Sequence, residues 1–241
     1  MKLSPFKMNM FVQCSRRYKF HYIDNLIKLY KKEWPWLTMG QNVHDALFVL
    51  FEEIKTPQER TYERAEAILK MKWRANRKGF KDREQEKEYG MMALSQIRRF
   101  IETQNLDFKP FRLEQFHEAM IDPELILNGR IDRIDELTDG SLHIIDYKTG
   151  EASRTIDDFQ LLAYALLVKH NFRRPISKVS NLYLDSGEFY SISPDSTQLE
   201  ITAMKIRDIA RQIASETEFP ARIGPLCKYC DFVEICDAQR N

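Results

Sequence analysis

No stretch of this chain approaches the ~20 consecutive apolar residues that a membrane-spanning helix requires. The opening residues, MKLSPFKMNMF, hold neither an apolar h-region nor a small-residue cleavage site. These absences argue against a membrane partner and a secreted precursor, and the expected location is intracellular, in the cytoplasm. Charge of one sign is lacking too: 37 Lys and Arg face 36 Asp and Glu, a net charge of +1. Composition alone therefore announces no nucleic-acid binder. A DNA groove would need local clustering of basic residues, because phosphate contacts depend on the local field. Internal repeats and low-complexity tracts are absent. Cysteine is scarce, with four in 241 residues. Structural disulfides are rare inside cells, so these four need another explanation.

What is present reads as one globular domain with a sizeable insertion. Hydrophobic residues make up 43% and charged residues 30%, enough for a buried core. Residues 1–38 form an aromatic and basic opening segment. A helix is expected over about 41–55, where Val43, Leu47, Leu50, Phe51 and Ile54 recur at helical spacing. Residues 57–105 are dense in charge, with apolar residues only at helical intervals. They read as two charged helices split near Gly79, a helical insertion whose plain reading is a solvated face. Strands are expected at Arg112–Ala119, Leu125–Leu137 and Leu142–Lys148. The last two are joined at Thr138-Asp139-Gly140-Ser141, where Asp-Gly signals a hairpin turn. Thr155 looks like the N-cap of a helix running to about His170. A second hairpin is expected near Asp185-Ser186-Gly187-Glu188 and a long helix over 196–215. This order suggests an α/β sandwich around a central mixed sheet.

The chemistry concentrates in Ile145-Asp146-Tyr147-Lys148. Strand side chains alternate, so Asp146 and Lys148 share a face with Leu142 and Ile144. Burying that charge is costly unless it is paired. Across the hairpin, Gly129-Arg130-Ile131-Asp132 can bring Asp132 near Asp146. Two converging carboxylates suit a hard divalent cation such as Mg²⁺, which would polarise a phosphate and acidify an attacking water. Lys148 would orient that water or steady phosphoryl charge. The bland alternative is a surface hairpin with a salt bridge. Gln160 and Tyr164 lie four apart, hence on one helix face, and both can contact nucleic acid. His44, beside an apolar stripe, reads on its own as a structural histidine.

Cys227-x-x-Cys230 is followed by Cys236, and Cys14 lies at the other end of the chain. Four thiols with none to spare fit a tetrathiolate site that pairs the 218–241 tail with Cys14. Spacing alone leaves zinc and an iron–sulfur cluster both open.

Taken in order, Gly129-x-x-Asp132, Asp146-x-Lys148 and Gln160-x-x-x-Tyr164 resemble the motif series of the RecB-like PD-(D/E)XK nuclease family. The resemblance covers the chain except about 57–105. It implies a restriction-endonuclease-like core, a mixed sheet flanked by helices, and a Mg²⁺- or Mn²⁺-dependent deoxyribonuclease that cuts DNA from ends or on single strands. His44 matches the family's metal-binding histidine on an early helix, and Glu114 its acidic residue on the first strand. Metal ligands would be His44, Asp132, Asp146 and the Tyr147 carbonyl. Lys148 would be catalytic with Asp132 and Asp146, and Gln160 and Tyr164 would contact DNA. Asp146 departs mildly from the Glu that many members carry. The cysteine spacing is similar to AddB-type nuclease domains and the CRISPR-associated exonuclease family, which implies a [4Fe–4S] cluster on Cys14, Cys227, Cys230 and Cys236 clamping the termini. Arg16, Arg17, Lys19 and Lys228 would then gather near the groove. DNA repair, recombination and CRISPR spacer acquisition are the pathways implied. The rival readings are a non-catalytic DNA-binding or docking subunit of a larger complex and a zinc-stapled interaction protein.

Overall fold

The strands form where the period-2 pattern lies between turn residues. The computed structural model describes residues 1–150 and 158–239. Its strands are β1 (Lys2–Leu3), β2 (Arg112–Asp122), β3 (Leu125–Glu136), β4 (Leu142–Lys148), β5 (Ile176–Tyr183) and β6 (Glu188–Ile192). They make one six-stranded sheet in the order β1-β3-β4-β5-β6, with β2 on β3 outside that path. The β1/β3 and β4/β5 pairs are parallel and the others antiparallel. This is the mixed sheet expected. Gly140 closes the β3–β4 turn at φ +81°, and its N–H donates to the Leu137 carbonyl at 2.9 Å. The Asp139 carboxylate accepts from the Ser141 amide at 2.9 Å and hydroxyl at 2.6 Å. Gly187, at φ +78°, turns β5 into β6.

The helices are α1 (Pro5–Gln13), α2 (Ser15–Tyr18), α3 (Ile27–Tyr30), α4 (Pro35–Glu52), α5 (Tyr62–Ala75), α6 (Arg83–Thr103), α7 (Phe159–Phe172) and α8 (Ser196–Ser215). The opening segment is more structured than expected. The Ser4 hydroxyl accepts from the Lys7 amide at 3.2 Å, and Pro5 follows, which starts α1. Likewise α4 begins at Pro35, several residues before the expected start, because proline's missing N–H costs nothing at a helix's first position. The expected Thr155 cap lies outside the described residues.

Two cores sandwich the sheet. Helices α1, α7 and α8 pack with Leu127, Ile144 and Val179 on one face. Helices α4, α5 and α6 pack with Ile145, Tyr147 and Leu182 on the other. Adjacent Ile144 and Ile145 thus enter opposite cores, as strand alternation demands. Segment 57–105 is more than a solvated face. Its charged sides are exposed, but Ala65, Leu69, Ala93, Ile97 and Phe100 are all buried against α4 and the sheet. Burying a ring such as Phe100 contributes about 2–3 kcal/mol. None of the helices among the described residues is long and apolar enough to cross a membrane.

Candidate active site

Strands β3 and β4 pair from Glu136↔Leu142 to Arg133↔Ile145 and no further. The next pair in that register would be Asp132 with Asp146. There the ladder opens, and the Asp132 carboxylate accepts the Tyr147 amide at 2.7 Å. On the other side of β3, the ladder with β2 passes from Leu113↔Arg133 to Gln115↔Ile131, skipping the position opposite Asp132. That position is Glu114, whose φ is +46°. Such a conformation costs a non-glycine residue about 1–2 kcal/mol, and strain of this kind concentrates at functional sites.

Helix α4 buries Val43 and Leu47 and so holds His44 over the opened notch. His44 Nδ1 lies 3.4 Å from Asp132 Oδ1 and 3.8 Å from Glu114 Oε1. Its ring meets Tyr147 edge-on at 5.7 Å. The ligand atoms of His44, Glu114 and Asp132 all lie within 4.8 Å of one another. Glu114 Oε1 is buried without a hydrogen-bond partner among the described residues. Two carboxylates, an imidazole and an orphaned buried oxygen fit a hard divalent cation. Burial alone would lower the His44 pKa, but hydrogen bonds with Asp132 and Glu114 and the charges of Asp132 and Asp146 raise it to about 10.

From the α7 face comes a second set. Lys148 Nζ pairs with Asp146 Oδ2 at 2.6 Å and donates to Gln160 Oε1 at 3.0 Å. Gln160 Nε2 donates to the Tyr164 hydroxyl at 3.1 Å. Burial raises the Asp146 pKa, and the charge of Asp132 adds to the rise; Lys148 and His44 oppose it. Burial likewise raises the Tyr164 hydroxyl. The Tyr164 ring lies close to β3 because residue 129 is glycine: a Cβ there would stand 3.0 Å from Tyr164 Cε1.

The residues read from sequence thus meet at one notch. His44 and Asp132 form a compact group with Glu114, the residue matched to the acidic position of the first strand. The Asp146 carboxylate stands apart from that group, paired with Lys148 two residues along the same strand face. The contact made by Tyr147 is its N–H on Asp132. Its side chain is buried in the other core. A buried pair behind the notch went unread in the sequence: Arg133 Nε bonds Asp135 Oδ1 at 2.7 Å, with the guanidinium over Phe51 at 4.8 Å. The signal was Arg133-x-Asp135, two charges on one face of an otherwise apolar strand.

The notch opens into a groove of about 1510 Å³ whose lining mixes charge, with Lys55, Lys72, Lys109, Arg112 and Arg130 alongside Asp45, Glu52 and Asp107. Its bases gather along the β2 wall at Lys109, Arg112 and Arg130. The basic residues near Cys14 are engaged elsewhere. Arg16 pairs with Asp237 at 2.8 Å, Arg17 with Asp231 at 3.8 Å and Lys19 with Asp24 at 2.7 Å.

Cys14, Cys227, Cys230 and Cys236 line one small cavity of about 30 Å³ with Phe20, Phe232 and Val233. No disulfide joins them. The expected tetrathiolate is not formed as a compact group: among the described residues no three cysteines bring ligand atoms within 4.8 Å of one another. Backbone amides hold two of them, with Arg222 N 3.5 Å from Cys14 Sγ and Gly224 N 3.4 Å from Cys227 Sγ. Burial raises the Cys230 thiol's pKa.

Comparison with known proteins gives the family and the fold. The family model of the PD-(D/E)XK nuclease superfamily matches residues 2–237. A segment of 46 residues is 48% identical to one subunit of an ATP-dependent helicase/deoxyribonuclease from Streptococcus agalactiae, covering 19% of this chain and 4% of that protein. A segment of 79 residues is 35% identical to the corresponding helicase/deoxyribonuclease subunit from Streptococcus mutans, covering 32% of this chain and 7% of that protein. The matches therefore span only a small part of these curated relatives. A solved structure from Eubacterium rectale, of a protein described as a candidate exonuclease, is similar over 99% of this chain and 87% of its own, with a TM-score of 0.56 at 15% identity. That likeness concerns the fold. With the family model matching from Lys2 to Asp237, the chain belongs to the PD-(D/E)XK nuclease superfamily.

Proposed function

We propose that this protein hydrolyses DNA phosphodiesters with Mg²⁺ or Mn²⁺, working from ends or on single strands. The observation that carries the reading is the opening of the β3–β4 ladder. It sets the His44–Glu114–Asp132 group beside Asp146 and the Lys148 ammonium at the floor of a groove with bases along its β2 wall. His44, Glu114 and Asp132 would hold the ion, with Asp146 and the Tyr147 carbonyl completing its shell. Once bound, the ion supplies Lewis acidity to the scissile phosphate and the attacking water. Lys148 orients that water and steadies charge on the phosphoryl oxygens. Gln160 fixes the ammonium by accepting from it, and the Tyr164 hydroxyl fixes Gln160; from this position Gln160 and Tyr164 would flank the bound DNA. Asp146 holds the Lys148 ammonium in place.

For the four cysteines we propose a [4Fe–4S] cluster, with zinc as the alternative. What supports a shared site is that all four thiols line one small cavity and backbone amides face two of the sulfurs. Either group is held by four thiolates. Such a cluster would tie the chain's two ends together. Work at DNA ends fits repair, recombination or CRISPR spacer acquisition, alone or beside other subunits.

The test is digestion of end-labelled single-stranded and duplex DNA and of covalently closed circles by anaerobically purified protein with Mg²⁺ or Mn²⁺. Cleavage that needs the metal, vanishes in Asp146→Ala and Lys148→Ala, and spares circles is the expected result. A folded wild-type protein that cuts none of these would make the chain a non-catalytic subunit.

A further inference from the structure

Phe116 lies in the middle of β2, 54% exposed, on the wall of the metal-site groove. A lone exposed aromatic needs no explanation, but this one has a defined setting. Its direct cross-strand partner is Arg130, whose side chain is 64% exposed. Flanking residues fix the direction of both. His117 packs on Phe172 of α7, with centroids 5.4 Å apart, and Gly129 faces Tyr164. Phe116 and Arg130 therefore stand on the opposite, uncovered face. The Glu114–Asp132 position lies two residues further along both strands, and Arg130 Nη1 comes within 4.0 Å of Glu114 Oε2. An aromatic face and a guanidinium thus sit side by side about 7 Å from the metal ligands along the strand.

We propose that Phe116 and Arg130 form a subsite for one unpaired nucleotide next to the scissile phosphate: the base stacks on Phe116 and the flanking phosphate pairs with Arg130. This deepens the nuclease reading and rests on it. The spacing is within one nucleotide step of an extended single strand. A base inside a duplex has both faces covered by its neighbours and cannot offer one to Phe116, so the subsite selects unpaired DNA. Stacking on aromatics is tolerant of sequence, so selection is for strandedness and not for base identity. Charge agrees. An ion on Glu114 and Asp132 would cancel their carboxylates, leaving Lys109, Arg112 and Arg130 to outweigh Asp107 and draw a strand along β2. Arg60, in the same groove, is taken up by the carbonyls of Ile54 and Phe108.

The experiment is fluorescence anisotropy in Ca²⁺ with labelled oligothymidylate and a blunt hairpin duplex, on wild type, Phe116→Ala, Phe116→Trp and Arg130→Gln. Melting temperatures serve as the folding control. Phe116→Ala should weaken oligothymidylate binding about tenfold and leave the duplex nearly unaffected, and Phe116→Trp should restore it. Arg130→Gln should weaken single-strand binding too and flatten its salt dependence. Phe116→Ala binding like wild type, or losing both DNAs equally, overturns the subsite. A parallel Mn²⁺ cleavage assay on wild type separates the two ideas. Cleavage without Phe116-dependent binding refutes the subsite alone. Phe116-dependent binding without cleavage refutes the nuclease reading and keeps the platform.

Discussion

Gly129→Ala is a one-carbon change whose consequence is readable from the structure. The new Cβ would stand 3.0 Å from Tyr164 Cε1 and 3.6 Å from Leu167 Cδ2, so the ring must give by a few tenths of an ångström. Tyr164 is buried on a packed helix and cannot swing out to water. Overpacking of this kind costs about 1–3 kcal/mol, which for a chain of this size lowers Tm by about 2–12 °C. The displacement also travels. The Tyr164 hydroxyl holds Gln160 at 3.1 Å, and Gln160 holds Lys148 at 3.0 Å. Loosening the first bond frees the second, so kcat should fall about tenfold, equivalent to about 1.4 kcal/mol of transition-state stabilisation. Calorimetry and steady-state cleavage read the two effects. A double-mutant cycle with Tyr164→Ala isolates the contact: once the ring is gone, Gly129→Ala should cost almost nothing. Wild-type Tm and kcat in Gly129→Ala, or additive effects in the double mutant, would refute the reasoning.

Three further outcomes are expected. Cys14→Ala should lower iron content and Tm together, since opening a closure of some two hundred residues releases on the order of 4–5 kcal/mol of chain entropy; unchanged iron and Tm would remove the clamp. Leu69→Ala, in the buried stripe of α5, should destabilise the whole chain by about 2–5 kcal/mol in a single transition; a separate early transition would mean that 57–105 folds apart from the sheet. His143 carries a pH dependence, because burial first and then the charges of Lys178 and Arg133 lower its pKa to about 4. An ordinary histidine in the unfolded chain titrates near 6.5, so above that pH both states are neutral and stability is complete. Between about 6.5 and 4 the unfolded state binds the proton and the folded state resists it, so stability falls with pH by up to roughly 3 kcal/mol. Urea melts at pH 7.5 and 4.5 should show this loss, and His143→Gln, which keeps a donor for Ser180, should lack most of it.

Local rules carried much of this protein. The bounds of β4 and α8 follow from periodicity, and both hairpins follow from Asp-Gly and Ser-Gly turns that need a positive φ. Strand alternation places Asp146 with Lys148, and helix spacing places Gln160 with Tyr164, because within one element the backbone period alone fixes which side chains share a face. The residue types of the site were therefore legible before any packing was known. What the tertiary structure decided is everything that depends on separation between elements. It opened the β3–β4 ladder at Asp132, turned Glu114 left-handed into the ligand group, and gave Asp146 to Lys148. It also buried the apolar stripe that recurs at helical intervals in the charge-dense segment 57–105, and set four cysteines around one small cavity. These outcomes rest on contacts between residues far apart in the chain, whose distances are set by the fit of two cores against one sheet and not by any local period.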